Sequence, residues 1–282
     1  MSLPRAMQVD VLMPAAGSEY AGVAPEYLAP YRPAFAARGV KLTERPWDAG
    51  PGDGDATLAF FAWGYHHDVI GWEAMLAAWP ADRPLFNPPA LLAWNCRKTY
   101  LRELAAQGLP VVPSRFGRAD DASVSAALTD FGCDAVVVKP QVSGGSYLTV
   151  KVAHGDAVAP LDDAIIQPFL PAIGGEGELS FLFIGGRFSH AVRKVAAAGD
   201  FRIQPQFGGI FSRFEPERAD RALAERILAA APIPPLYARI DLIRLPDGSL
   251  ALMEFEAIEP DLYLEQEPAV AGRLAEALLA RL

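Results

Sequence analysis

The stretch 239–256 constrains the fold more than any other. Pro246-Asp247-Gly248-Ser249 is a turn signal, and the residues on either side alternate as strands do. With an even-numbered loop, Leu245 pairs with Leu250. Counting outward sets Asp241 opposite Glu254 and Arg239 opposite Glu256. Alternation then places Asp241, Glu254 and Glu256 on one face with Ile243, Leu245, Leu250 and Leu252, while Ile240, Leu242, Met253 and Phe255 take the other. A hairpin apolar on both faces is buried on both. Three carboxylates there repel one another and shift their pKa values unless cations bind. Oxygen ligands suit magnesium shared with substrate phosphates, and that reading, which depends on the register, is preferred to a solvated strand face.

The rest of the chain supplies an α/β frame for this hairpin. Apolar runs at 9–13, near Val40, at 57–63 and at 83–86 read as strands, and 71–79 reads as a helix. Their alternation suggests a small α/β domain with a mainly parallel sheet, whose strand-end loops at Pro14 and Tyr65 are placed to meet ligands. After Asn87-Pro88-Pro89, Asn95 is positioned to cap a helix running to about Gln107, and another helix is expected at 123–131. Further strands are expected at 135–139, 147–152, 179–184 and 188–192, a short apolar segment at 165–170, and amphipathic helices at 219–230 and 269–282.

Composition narrows the function. Half of the 282 residues are hydrophobic, enough for a packed core in one large domain or two ordinary ones. A net charge of −9 without a block of Lys or Arg argues against nucleic acid and anionic membranes as partners. Cys96 and Cys133 are far apart and form no CxxC pair, so reduced thiols and a cytoplasmic setting are expected. No stretch approaches a membrane span, the opening residues lack a signal-peptide core, and Met7 is a second candidate start. Oligomeric state stays open, a homodimer included.

Only five lysines occur, so their places matter. Arg97 and Lys98 fall in the first turn of the expected 95–107 helix, where cations oppose the helix dipole. They are either solvated or near a phosphate. Lys139 ends the apolar run Val136-Val137-Val138, and Ser143-Gly144-Gly145-Ser146 follows. The glycines would let backbone N–H groups approach phosphate oxygens, though a plain hairpin tip has the same composition. Arg193 and Lys194 end a strand, with Arg202 and Gly208-Gly209 beyond them. They could clamp a phosphoryl group or be surface charge. Of the histidines, His66 and His67 follow a strand end beside Tyr65; a substrate contact is one reading, and solvation is expected for at least one of them. His154 and His190 have no evident partner, and the tryptophans read as packing residues.

In this order, the segments resemble the ATP-grasp superfamily from about 87 to 264, in the branch of prokaryotic glutathione synthetase and the RimK-type glutamate ligases. Trp94-Asn95-Cys96-Arg97-Lys98-Thr99-Tyr100-Leu101 and Asp200-Phe201-Arg202 are similar to the ring-closing synthetase of D-cycloserine biosynthesis. The resemblance implies that Lys98 and Lys139 hold the nucleotide phosphates and that Ser143, Gly144, Gly145 and Ser146 form the loop covering them. It implies that Gln167 contacts adenine, that the backbone of Phe169 and Leu170 lines the adenine slot, and that Glu178 binds ribose, with Glu176 as a rival. Arg193 and Arg202 match arginines that stabilise the transferred phosphoryl group, near the Gly208-Gly209 pair. Asp241, Glu254 and Glu256 match the metal-binding acids. Two departures stand out: the last metal motif is Glu254-Phe255-Glu256 where the family often has Glu-x-Asn, and Gln204 replaces a common Asn.

The implied fold is α/β: an amino-terminal α/β domain at 7–94, a central lid at 95–168 and a carboxyl-terminal α+β lobe with the metal site at 169–282. The implied activity is that of an ATP- and Mg2+-dependent ligase that activates a small carboxylate substrate as an acyl phosphate for attack by an amine. One rival is ring closure within one molecule. Another is an ATP-binding regulator without turnover, which would not need three clustered carboxylates.

Overall fold

A computed structural model describes residues 7–197, 202–203 and 208–282. Asp200, Phe201 and Gln204 therefore lie outside the described residues. Strands β1 (Met7–Met13) and β2 (Val40–Pro46) form where the apolar runs predict, with short helices α1 (Ala24–Leu28) and α2 (Arg32–Ala36) between them. Adding β3 (Ala56–Leu58) and β4 (Leu85–Phe86), which flank α3 (Val69–Ala77), completes a parallel sheet of order β2-β1-β3-β4. The apolar run at 57–63 is strand only as far as Leu58. Beyond it, Phe60 and Phe61 pack edge-on against Tyr31, and Phe60 also meets Tyr237. That hydrophobicity belongs to a buried turn.

Helices α4 (Pro89–Cys96) and α5 (Tyr100–Ala106) replace the single helix expected at 95–107. Asn95 does not cap; it is a buried residue in the last turn of α4. Next come β5 (Arg115–Ala119), α6 (Asp121–Phe131), β6 (Ala135–Pro140), β7 (Val150–Ala153) and β8 (Leu161–Pro168), an antiparallel sheet of order β5-β8-β6-β7. Asp120 and Ser123 form a capping box at the start of α6. The last unit holds β9 (Glu178–Ile184), β10 (Arg187–Val195), β11 (Ile210–Phe214), α7 (Arg218–Ala229), β12 (Tyr237–Arg244), β13 (Leu250–Glu256) and α8 (Val270–Leu279). Its strands run in the order β11-β10-β9-β12-β13.

The β12–β13 hairpin keeps the expected pairing at the acids but reaches it differently. Asp241 faces Glu254 and Arg239 faces Glu256, yet Leu245 N–H donates to Ser249 O and Leu242 pairs with Leu252. The turn is one residue shorter than assumed, and a bulge between Asp241 and Leu242 restores the register. A one-residue slip flips faces. Leu250 and Leu252 accordingly join Ile240, Leu242 and Phe255 in one core, while Met253 joins Ile243, Leu245 and Ala251 in another.

Packing ties the sheets together. The parallel sheet shares a core with α8 and with Leu182, Ile184, Val192 and Tyr237 of the large antiparallel sheet. Tyr100, Leu101 and Leu104 of α5 pack on Leu179, Phe181, Ile240 and Leu242 of that same sheet, whereas the β5–β8 sheet has its own core beneath α6. β13 is the last strand of its sheet; the 110–112 segment bonds the Leu252 backbone on its outer edge, and side chains of the preceding helices satisfy its end. Asn95 Nδ2 donates to Phe255 O at 2.7 Å, its Oδ1 accepts from Ala257 N at 2.7 Å, and the Tyr100 hydroxyl accepts from Phe255 N at 3.1 Å. Asn87 likewise donates to Tyr237 O and Ala257 O. These side chains fix the strand that carries Glu254 and Glu256. Asn95→Ala is expected to destabilise the fold by about 2–4 kcal/mol, because two buried backbone groups lose their partners. Denaturant unfolding checks this; a loss below about 0.5 kcal/mol would contradict the pinning role. Among the described residues, no helix is long and apolar enough to cross a membrane.

Candidate active site

Strand register explains how the charged side chains meet. β10 against β9 sets Lys194 opposite Glu178, and β9 against β12 sets Ser180 opposite Asp241. Lys194 ion-pairs with Glu178 and reaches Asp241 Oδ2 at 3.1 Å. Ser180 Oγ donates to Asp241 Oδ1 at 2.6 Å, and Arg239 Nε lies 3.0 Å from both Asp241 oxygens. The Arg239 guanidinium also ion-pairs with Glu256 across the hairpin. Gly177 permits this arrangement: its φ is +85°, and a Cβ there would fall 2.2 Å from the Lys194 carbonyl oxygen.

On the facing sheet, alternation divides β6. Val136 and Val138 enter the core with Ala164 and Ile166, while Val137, Lys139 and Gln167 of β8 line the site. Lys98 lies between α4 and α5, not in the first turn of a helix. Its Nζ reaches Glu254 Oε1 at 3.0 Å, and Ser143 through its carbonyl oxygen at 3.1 Å and its hydroxyl at 3.2 Å. The Gly-rich loop is thus held over the acids by the lysine assigned to phosphate. Gln167 donates to Ser114 Oγ at 2.9 Å, and Phe169 N–H donates to Ala135 O.

A cavity of about 1600 Å³ opens where the three sheets meet. It collects Lys98, Lys139, Ser143, Gly144, Gly145, Ser146, Gln167, Phe169, Leu170, Glu178, Arg202, Asp241, Glu254 and Glu256. Arg193 is the exception. It occupies the other face of β10, with its guanidinium 5.5 Å from the Phe214 ring, and the cation inside the cavity is its neighbour Lys194. Consecutive strand residues point to opposite faces, so only one of the pair can enter. Arg244 holds Glu176 by two hydrogen bonds, of 2.6 and 2.9 Å, and Glu178 is the acid that lines the cavity. The sequence offers Lys194 with Arg193 as a phosphoryl clamp but the resemblance carries the role to Arg193, and neither Arg239 nor Glu259 is singled out for the site. Arg239 had a usable signal, since it shares a face with Asp241 and stands opposite Glu256.

Electrostatics separate the acids. Burial pushes Asp241 up, but Arg239 and then Lys194 more than offset it and hold the carboxyl well below its usual range. Glu254 is also lowered, because Lys98 and Lys139 outweigh burial. Burial dominates at Glu256, which is raised well above normal despite Arg239, and at Glu178, pushed up to about 7 despite Lys194. Burial lowers Lys139, with partial compensation from Glu254. Among the described residues, no three His, Cys, Asp or Glu side chains converge as a complete metal cage. Magnesium needs only one or two carboxylates when phosphates supply other ligands, and the oxygen donors Glu254 and Glu256 fit that requirement. Each acid also has cationic neighbours: Asp241 is held by Ser180, Lys194 and Arg239, Glu254 by Lys98 and Glu256 by Arg239.

No family model matches the chain. The cycloserine biosynthesis protein DcsG of Streptomyces lavendulae is 31% identical over 222 residues, covering 70% of this chain and 73% of that protein. The crystal structure of D-cycloserine synthetase DcsG has a TM-score of 0.81 at 24% identity, over 97% of this chain and 99% of that one. ATP-grasp ligase PsnB, complexed with its minimal precursor, gives 0.68 at 18% identity, over 98% and 99%. D-alanine–D-alanine ligase from Bacillus anthracis gives 0.70 at 15% identity, over 98% and 97%. These structural likenesses establish the fold, and the sequence relation to DcsG establishes kinship: the chain belongs to the ATP-grasp family of ATP-dependent ligases that form C–N bonds.

Proposed function

We propose that this enzyme activates the carboxylate of a small, amino-acid-like molecule with ATP. A carboxylate oxygen attacks the γ-phosphorus, the bond to ADP breaks, and an acyl phosphate forms. An amine nitrogen then attacks the carbonyl carbon, loses a proton and expels phosphate. The observation that carries this reading is the meeting of Lys98, Lys139, Lys194 and Arg239 with Glu254 and Glu256 in one cavity.

In this reading Lys98 and Lys139 hold phosphate oxygens and the 143–146 loop covers them. Gln167 and the backbone of Phe169 and Leu170 take adenine, and Glu178 takes ribose. Lys194, Arg202 and Arg239 face the phosphoryl group as it moves. Asp241 orients Arg239 and Lys194, while Glu254 and Glu256 would hold magnesium. Bound there, magnesium would neutralise the charge that develops on the phosphates. The chain positions groups and supplies charge, so no nucleophilic side chain is required. The segments 7–94, 95–168 and 169–282 would divide this work as acceptor domain, lid and metal lobe. The thiols of Cys96 and Cys133 form no disulfide, which fits a cytoplasmic setting.

The likeness to D-cycloserine synthetase favours a second reading, ring closure within one molecule. Mass spectrometry of products from ATP, magnesium and a panel of amino acids separates the two. Joining of two panel members supports the first, and loss of water from one supports the second. Absence of ADP formation across the panel and its amino-acid derivatives would count against both.

Proton linkage offers an independent check. Glu178 and Glu256 retain protons to higher pH than free carboxyls do. Magnesium held at Glu256 favours the ionised form of these acids, so binding of magnesium and ATP should release protons below the Glu178 pKa of about 7, pH 6.5 included. Affinity should rise with pH over the same interval. Calorimetry in two buffers of different ionisation enthalpy reads the release, and Glu256→Gln should diminish it. Net proton uptake at pH 6.5 would contradict the assignment.

A further inference from the structure

Beyond the acids of β13 the cavity extends into a second lobe. Its walls come from the amino-terminal segment 20–66 and from 258–268, after β13. No lining residue from either segment is Lys or Arg; the lining cations Lys98, Lys139, Lys194, Arg202 and Arg239 all belong to the nucleotide side. The lobe is aromatic, with Tyr27 edge-on to Trp63 at 5.3 Å and Tyr20 edge-on to Trp63 at 6.5 Å. Two polar groups there lack partners among the described residues. His66 is 8% exposed and neither ring nitrogen has a hydrogen bond. The Glu259 carboxylate makes no hydrogen bond or ion pair with a described side chain, and burial pushes its pKa up to about 7.

The two groups face one place. A Cβ built on Gly144 would lie 3.3 Å from the His66 ring and 3.6 Å from Glu259 Oε1. Burial pushes His66 down to about 4, so at neutral pH the ring keeps one nitrogen as an acceptor. A carboxylate and a neutral imidazole side by side call for a group that donates to both and carries positive charge. An ammonium has three donors and no acceptor, and aromatic faces attract it further. Among the described residues, the buried His66 ring goes without a hydrogen bond, and the half-buried Glu259 carboxylate without a cation of its own, until such a group binds.

We propose that this lobe recognises an ammonium group on the carboxylate substrate, with Glu259 as counter-ion, His66 as hydrogen-bond acceptor and Tyr20, Tyr27 and Trp63 around an apolar body. The substrate class is then a zwitterionic amino acid with a bulky apolar side chain, its carboxylate turned toward Arg239. This rests on the ligase reading, which the test can fail separately.

Phenylalanine and 3-phenylpropionate share a ring and a carboxylate and differ by the ammonium. Each, with both enantiomers of phenylalanine, is titrated into the full chain saturated with magnesium and the ATP analogue AMPPNP. One enantiomer is expected to bind at least about tenfold tighter than 3-phenylpropionate. Glu259→Gln should bring that ratio close to one, and His66→Phe should lower it. Equal or tighter binding of 3-phenylpropionate overturns the proposal. So does a ratio unmoved in Glu259→Gln, or saturable binding by neither probe. If Glu259→Gln does not fold, the wild-type ratio decides alone. AMPPNP binding is measured first: its failure in wild-type protein would overturn the nucleotide site itself, whereas probe failure with intact AMPPNP binding overturns only the ammonium site.

Discussion

Lys194→Met is expected to lower kcat by about two orders of magnitude or more, while Arg193→Met leaves it within about threefold. Lys194 lies in the cavity between Glu178 and Asp241, and Arg193 lies across the strand over Phe214. Losing the lysine also leaves two buried carboxylates short of a cation, so stability should fall by about 3–5 kcal/mol. Folding and catalysis can be separated by adding Glu178→Gln to Lys194→Met. That removes one unpaired carboxyl and should recover part of the stability without recovering kcat. Steady-state kinetics and denaturant titration read the two quantities. Normal turnover in Lys194→Met with lost turnover in Arg193→Met would return the role to Arg193.

Glu254→Gln and Glu256→Gln should each reduce kcat by about a hundredfold or more, with a smaller change in the KM for ATP, because a magnesium ligand acts mainly on charge developed in the transition state. Their stabilities should move in opposite directions. Lys98 and Lys139 favour the charged form of Glu254 in the folded protein, so neutralising it removes stability above the normal carboxyl pKa. Burial disfavours the charged form of Glu256 more than Arg239 favours it, so neutralising it adds stability in the same pH range. Thermal unfolding at pH 8 without metal reads both signs. Near-normal turnover in either variant at limiting magnesium would remove that residue from the metal site.

Much of this was legible in the sequence because the acids, lysines and glycines sit at strand ends and turns, where residue type has few local explanations. The pairing of Asp241 with Glu254 was readable. The bulge that keeps it was not, because a turn shortened by one residue leaves the same alternating pattern. Asn95 looked like a helix cap because its side chain suits capping; its partners, Phe255 and Ala257, lie about 160 residues away and follow only from the packing of α4 on β13. The choice between Arg193 and Lys194 needed the phase of β10, which two adjacent basic residues do not reveal. His66 and Glu259 carried no motif, and the cavity alone brings them together. Family membership decides against a regulator without turnover.

The central claim is that the γ-phosphoryl group of ATP passes to a carboxylate, and the nucleotide products test it most directly. Phosphorus NMR follows the enzyme with ATP, magnesium, an amino-acid panel and hydroxylamine, which traps acyl phosphates as hydroxamates. The account predicts ADP and inorganic phosphate, formed slowly without the correct acid and faster with it, since the acceptor oxygen must lie in line. Formation of AMP and pyrophosphate by the active enzyme would contradict it.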